Sequence, residues 1–309
     1  MKIVFAGSSE FAISALEELH AEPAHTVLLA ISQPPRPKGR KQLLEATPLA
    51  QAAQSLGIPT FCPEDVNSPD SLAKLAELEA EILITASYGA FLGKTLRKLY
   101  PHPAINLHPS LLPLHRGPSP IRAAILAGQQ FTGTSIFRLS QKMDAGPILI
   151  REQLEIEPNE DYSSLHTRLA NQAARLLLCY LQKPSDFPEH KQDHALATYS
   201  RMVVKDDLHL NFKQPAELLN RQIRAYACEP GAYVNFRDKQ LKILQAEITA
   251  TRSVKEAGSI SGIFPGTGFS ISTADYDLKI LMVQSAGKKQ MDARQFILGA
   301  RLEIGERIE

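Results

Sequence analysis

Two domains of different class are predicted: a parallel α/β domain followed by a small β barrel. Three observations predict them. Short apolar runs alternate with amphipathic stretches from Lys2 to residue 182. The segment KPSDFPEHKQDH then breaks that rhythm with prolines, charges and few apolar residues. Beyond it, short runs of strand character are separated by turns containing glycine. A length of 309 residues agrees with two domains. The expected division is a first domain over 1–189, a linker over 190–204 and a second domain over 205–309.

Lys2–Gly7, KIVFAG, reads as a buried strand that stops at a glycine. Ser8-Ser9-Glu10 can then cap a helix in which Phe11, Ile13, Leu16 and Leu19 keep helical spacing. That turn holds a single glycine, so the dinucleotide-binding fingerprint is absent and no nicotinamide cofactor is expected. Residues 25–31 supply the second strand. Next, SQPPRPKGRKQ sets Arg36, Lys38, Arg40 and Lys41 among prolines and a glycine with no apolar partner, which predicts an exposed loop. Two readings fit such a loop: a solvated connection, or a finger for a polyanion.

Helices are predicted over 47–56 and 68–79, and strands over 59–62 and 81–86. Residues 104–107 enter another buried strand, and Ser119 caps a helix that has Pro120 at its first position. Residues 132–139 alternate like a strand, KMDAGP makes a turn, ILIREQLEI gives a further strand, and 161–181 is a long amphipathic helix. In the second domain a helix over 215–226 precedes GAYVNF, KQLKILQAEIT, GSISGIFPG, GFSIST and DLKILMV, the pattern of a small barrel.

Composition excludes several classes. With 44% hydrophobic and 22% charged residues the chain is neither disordered nor fibrous. No apolar run approaches the roughly 20 residues of a membrane span. Glu10, Glu17 and Glu18 follow the first apolar run too closely for a secretory signal, so a cytoplasmic location is expected. Cys62, Cys179 and Cys228 are odd in number and lack metal-ligand spacing, which predicts buried thiols rather than a disulfide or a zinc site. The net charge of +1 conceals a tilt: residues 200–309 carry 16 Lys and Arg against 13 Asp and Glu, and residues 1–199 carry 18 against 20.

Chemistry concentrates in PHPAINLHPSLLPLHRGPSPIR. Asn106, His108 and Ser110 occupy alternating positions where a strand ends and a Pro-rich loop begins, so an extended segment puts them on one side. In an open α/β sheet ligands bind at such tips, and Ser87-Tyr88-Gly89 ends the preceding strand beside them. Tyr88 could pack there or touch a ligand. An amide, an imidazole and a hydroxyl could hold a carbonyl and move a proton. The same residues could instead satisfy loop backbone, with His108 at the surface. Asp144, in the KMDAG turn, is a common turn residue type, and it is also the carboxylate that would raise the proton affinity of His108 and fix its orientation.

INLHPSLLP followed by DAG resembles the formyltransferases that use 10-formyltetrahydrofolate. The FAG opening, the basic Pro-rich loop, ATY at 197–199, PGAY at 230–233 and the Gly299 and Gly305 pair extend the resemblance over nearly the whole chain. The basic loop and the C-terminal half resemble the branch of that family that acts on a charged tRNA. The resemblance implies a Rossmann-like catalytic domain and an OB-like tRNA-binding domain, with 10-formyltetrahydrofolate as formyl donor and initiator methionyl-tRNA as acceptor. It implies catalysis by Asn106, His108 and Asp144, a folate site lined by Ser110, Leu111, Leu112, Pro113 and Tyr88, and tRNA contacts from Arg36, Lys38, Arg40 and Lys41. No metal, no membrane partner and a monomer are expected. The sequence departs from the family at Ser8-Ser9, where Thr-Pro is usual, at Ala227-Cys228-Glu229, and in having no Trp. The same catalytic triplet would serve transfer to a sugar-nucleotide amine or to glycinamide ribonucleotide, whereas an RNA-binding module without catalysis would leave it unused.

Overall fold

The structure is a computed structural model that describes residues 1–38, 42–227 and 229–308. Arg40, Lys41, Cys228 and the side chain of Lys38 lie outside what it describes. Two compact units divide the chain. The first comprises Met1–Pro120, Phe131–Glu155 and His166–Arg201, and the second Ile121–Gln130, Ile156–Leu165 and Met202–Glu309.

The first unit holds β1 (Lys2–Gly7), α1 (Ile13–Ala21), β2 (Thr26–Ile31), β3 (Arg36–Lys38), β4 (Leu43–Glu45), α2 (Pro48–Ser55), β5 (Thr60–Phe61), α3 (Pro69–Ala76), β6 (Ile82–Ala86), α4 (Lys94–Arg97) and β7 (Ile105–His108). After α5 (Pro120–Leu126) follow β8 (Phe131–Arg138), β9 (Ile148–Glu155) and α6 (Tyr162–Gln182). Among the described residues the main sheet runs β5-β2-β1-β6-β7-β8-β9. From β5 to β7 along this order the strands are parallel; β1 and β6 are buried almost throughout, as continuous apolar runs such as Ile3–Ala6 require, while β5 at the edge is half-buried. Strands β8 and β9 are antiparallel additions, and β9 alternates half-buried and exposed positions from Ile150 on, as a sheet with one wet face allows. The chain winds outward from β1 to β2 and β5, then returns to lay β6 and β7 on the other side of β1. The strand order therefore reverses beside β1, and the C-terminal tips of β1, β6 and β7 border the switch-point crevice.

Caps follow the sequence unevenly. Thr47 and Ser68 cap α2 and α3, accepting hydrogen bonds from Ala50 N and Ser71 N, with proline at the first helical position of each. Ser9 makes no side-chain capping bond, because a 3-10 turn over Glu10–Ala12 precedes α1 and is closed by backbone, Ala12 N to Ser9 O at 3.2 Å. The basic segment expected as a plain loop contains a short hairpin, with Arg36 opposite Glu45 and Pro37 opposite Leu44. Proline is tolerated because a two-stranded ribbon leaves its missing N–H on an edge. Leu43 and Leu44 are 67% and 73% exposed, and Arg36 Nη2 pairs with Glu64 at 3.0 Å in solvent, where such a pair is worth little.

The segment expected to act as a spacer is tied to the first unit. His190 exchanges backbone bonds with Ile148 at 2.8 Å, Arg116 N donates to Thr198 O at 2.9 Å, and Ser200 N donates to Arg116 O at 2.7 Å. Residues 190–200 thus form a strap.

The second unit contains α7 (Ala216–Ala225), β10 (Ala232–Phe236), β11 (Lys239–Arg252), β12 (Ile260–Phe264), β13 (Gly268–Ile271), β14 (Tyr276–Ser285), β15 (Met291–Asp292) and α8 (Ala293–Ala300). Its antiparallel sheet runs β10-β11-β14-β13-β12, with β15 on β14. Leu219, Ile223, Phe269, Ile280 and Val283 form part of its core. Register shifts between β11 and β14 let the long strand bend. Among the described residues no ladder joins β12 to β10, so the sheet is open, an arrangement compatible with the expected barrel but not closed. No helix among the described residues is long and apolar enough to cross a membrane. The thiols differ from expectation: Cys62 is half-buried and Cys179 lies exposed on α6.

Candidate active site

Strand β7 lies between β6 and β8, with Asn106 beside Thr85 and His108 beside Ser135. Thr85 Oγ1 donates to Asn106 Oδ1 at 2.6 Å. That bond takes up the amide oxygen, so the Nδ2 side, 3.3 Å from Leu107 O, is the side left to donate to a ligand. Thr85→Val keeps the shape and removes the bond. It is expected to lower turnover roughly fivefold, the equivalent of about 1 kcal/mol, with a loss of thermal stability of about 1 kcal/mol because the buried hydroxyl also lies 3.2 Å from Ile105 O; a wild-type rate in steady-state assays would show that Asn106 needs no alignment.

His108 is 5% exposed, edge-on to Phe137 with centroids 6.4 Å apart. Its Nε2 lies 3.0 Å from the carbonyl oxygen of His115. A carbonyl can only accept, so Nε2 carries the proton and Nδ1 holds the lone pair of the neutral ring. Nδ1 faces Asp144 Oδ2 at 3.8 Å, too far for a hydrogen bond but close enough to stabilise a protonated ring. The ring is thus held on one side by the His115 carbonyl, while the carboxylate expected to orient it faces the other nitrogen without a hydrogen bond. The carboxylate is itself held by Gly117 N, which donates to Oδ2 at 2.7 Å. Asp144 has φ 50, a left-handed conformation that aspartate adopts more readily than most residues.

The loop after β7 is held from within. Ser110 Oγ donates to Leu114 O at 2.6 Å, while Ser135 Oγ donates to Ser110 O at 2.7 Å and accepts from Leu112 N at 3.1 Å. Leu112 is fully buried against Phe137 and Ile148. Tyr88 is packed in the core with Val4, Leu83 and Leu92, and burial pushes its phenol up to about 12. Of the five residues expected to line a folate site, Ser110, Leu112 and Tyr88 thus face the interior, because a turn or a core needs their side chains. Leu111 and Pro113 keep partial exposure. Ser8 joins three strand tips: its hydroxyl donates to Tyr88 O at 2.9 Å and accepts from Gln33 N at 3.2 Å.

Sequence reasoning missed Thr85, His115, Arg116, Gln192 and Thr198. Thr198 Oγ1 accepts from His115 N at 2.8 Å, which holds the residue that orients His108. The ATY motif was the available signal for Thr198. The others look like ordinary core or loop residues. Among the described residues no group of three or more His, Cys, Asp and Glu is placed to hold a metal ion.

A strand-tip amide, a buried imidazole and a carboxylate above the switch point of a parallel sheet are the parts of an acyl-transfer centre. The chain belongs to the formyl transferase family: the family model described as formyl transferase matches residues 1–181, and that of the formyl transferase C-terminal domain matches 202–301. Its relatives include the methionyl-tRNA formyltransferases of Roseiflexus castenholzii, 38% identical over 100% of this chain and 99% of that one, and of Thermotoga neapolitana, 34% identical over 100% and 98%. Among solved structures, an N-formyltransferase from Helicobacter canadensis in complex with folinic acid and dTDP-3-aminofucose superposes with a TM-score of 0.66 at 18% identity, covering 92% of this chain and 99% of that one. HypX from Aquifex aeolicus in complex with tetrahydrofolic acid gives 0.64 at 17% identity over 96% of this chain, which spans 47% of HypX. These two share the fold.

Proposed function

We propose that this chain transfers the formyl group of 10-formyltetrahydrofolate to the α-amine of methionine on initiator methionyl-tRNA, giving N-formylmethionyl-tRNA for translation initiation in the cytoplasm. The observation that carries this is the meeting of His108 and Asp144 beside Asn106 at the sheet's C-terminal tips, in a chain matched end to end by methionyl-tRNA formyltransferases. The amine attacks the formyl carbon. Asn106 Nδ2 donates to the formyl oxygen as it becomes negative. His108 Nδ1 takes the proton that the attacking nitrogen loses, and the Asp144 carboxylate stabilises the charged ring. As the bond from the formyl carbon to the folate nitrogen breaks, His108 returns that proton to the leaving nitrogen. Protons balance, and the products are a formamide and tetrahydrofolate.

The exposed faces of Leu111 and Pro113, with the backbone of their loop, offer the donor an apolar edge, while Ser110, Leu112 and Tyr88 shape that edge from beneath. Arg36, Lys38, Arg40 and Lys41 form a basic arm for the tRNA backbone, and residues 205–309, where cations exceed anions, add a second RNA-binding surface on a monomeric enzyme. Replacing Arg40 and Lys41 with alanine together is expected to weaken tRNA binding and flatten its log-log salt dependence by roughly 1 to 2 units, with folate binding unchanged. Normal formylation of charged tRNA by this double variant at both low and physiological salt would leave the arm a solvated connection.

A further inference from the structure

We infer that Gln192 is a positioning residue for Asp144, an inference that rests on the formyl-transfer reading above. Gln192 comes from the strap and is 8% exposed. Its Nε2 donates to Asp144 O at 2.8 Å and to Gly146 O at 2.6 Å, so one amide group spans the DAG turn. Its Oε1 accepts from Arg116 Nη2 at 2.6 Å and from Arg116 Nε at 3.2 Å. Both hydrogens and both lone pairs are used, which is the full capacity of a buried side-chain amide.

The arrangement closes a ring around Asp144. Arg116 is 3% exposed, and the residue after it, Gly117, gives its N–H to the Asp144 carboxylate. Asp144 is thus held twice, at its carbonyl by Gln192 and at its carboxylate by the loop that Gln192 locks through Arg116. A non-glycine residue in the left-handed region persists only where its surroundings fix it, and Gln192 supplies that constraint. The same guanidinium reaches His194 Nδ1 at 3.0 Å, which anchors the strap at a second point.

The discriminating variant is Gln192→Glu. A glutamate keeps, or strengthens, the acceptor for Arg116 but cannot donate to the two turn carbonyls. If Gln192 only satisfies Arg116, this variant behaves like wild type. If it positions Asp144, kcat for formyl transfer falls on the order of tenfold or more, while KM for 10-formyltetrahydrofolate and for methionyl-tRNA stays within about twofold. Because the effect passes through Asp144, the variant carrying both Gln192→Glu and Asp144→Ala should be no slower than Asp144→Ala alone. Amide hydrogen exchange at Gly117, which needs no substrate, should speed up about tenfold in Gln192→Glu while that of Leu107 in β7 does not. Wild-type kcat, additive losses in the double variant, or an unchanged Gly117 exchange rate would each overturn the assignment. A wild-type protein that forms no N-formylmethionyl-tRNA would instead refute the proposed reaction, and the Gly117 exchange rate alone would then decide the role of Gln192.

Discussion

His108→Ala should lower turnover by a factor on the order of 10² to 10³, with KM for either substrate little changed. Its Nδ1 carries the lone pair that faces Asp144, 3.8 Å from Oδ2, so removing the ring removes the base. Asn106→Ala and Asp144→Ala should each cost a factor on the order of 10². Combining them with His108→Ala should add little, because the three residues serve one transition state. Single-turnover formyl transfer from pre-bound substrates isolates the chemical step. Near-normal turnover in Asp144→Ala would remove Asp144 from the mechanism and, with it, the reason for the strap's hold on the DAG turn.

Gly146→Ala should be nearly as damaging, although glycine has no side chain to take part in the chemistry. A Cβ at position 146 would lie 1.8 Å from the carbonyl oxygen of Arg138, and that oxygen belongs to a sheet strand. Arg138 N is also bonded to Pro147 O at 3.0 Å, so strand and turn cannot separate without breaking a backbone bond. The turn must lift, and Asp144 moves with it. We expect destabilisation of about 1–3 kcal/mol in thermal unfolding and a turnover loss on the order of 10², similar to that of Asp144→Ala. A variant that melts normally and turns over normally would mean the turn can move without carrying Asp144 away from His108.

Strands β1, β6 and β7 were legible because each is an apolar run ended by glycine or a polar residue, and a buried parallel strand needs little else. The caps of α2 and α3 were legible for a similar local reason: Thr47 and Ser68 stand directly before proline. Direction and depth were not. Alternation puts Asn106, His108 and Ser110 on one side, yet it cannot show that the Ser110 hydroxyl is consumed by Leu114 O four residues on. Nor could it tell that Tyr88 turns into the core. The pairing of 36–38 with 43–45 was hidden because cations and prolines carry no strand pattern. Gln192 was hidden more deeply, since its partners are two backbone carbonyls 48 and 46 positions away and a guanidinium 76 positions away. Backbone partners leave no mark on a sequence, and the polar stretch around Gln192 reads as a spacer.

Acceptor competition tests the central claim most directly. The protein would be incubated with 10-formyltetrahydrofolate labelled in the formyl group, together with equal concentrations of methionyl initiator tRNA, free methionine and a dTDP-linked amino sugar. The fate of the label would be followed at physiological salt. The structure and the proposed reaction predict label on the methionine of the tRNA and almost none on the other two, with His108→Ala abolishing the signal. Label on the amino sugar in preference to the tRNA would contradict the account, and so would transfer to methionyl-tRNA that survives the loss of His108 undiminished.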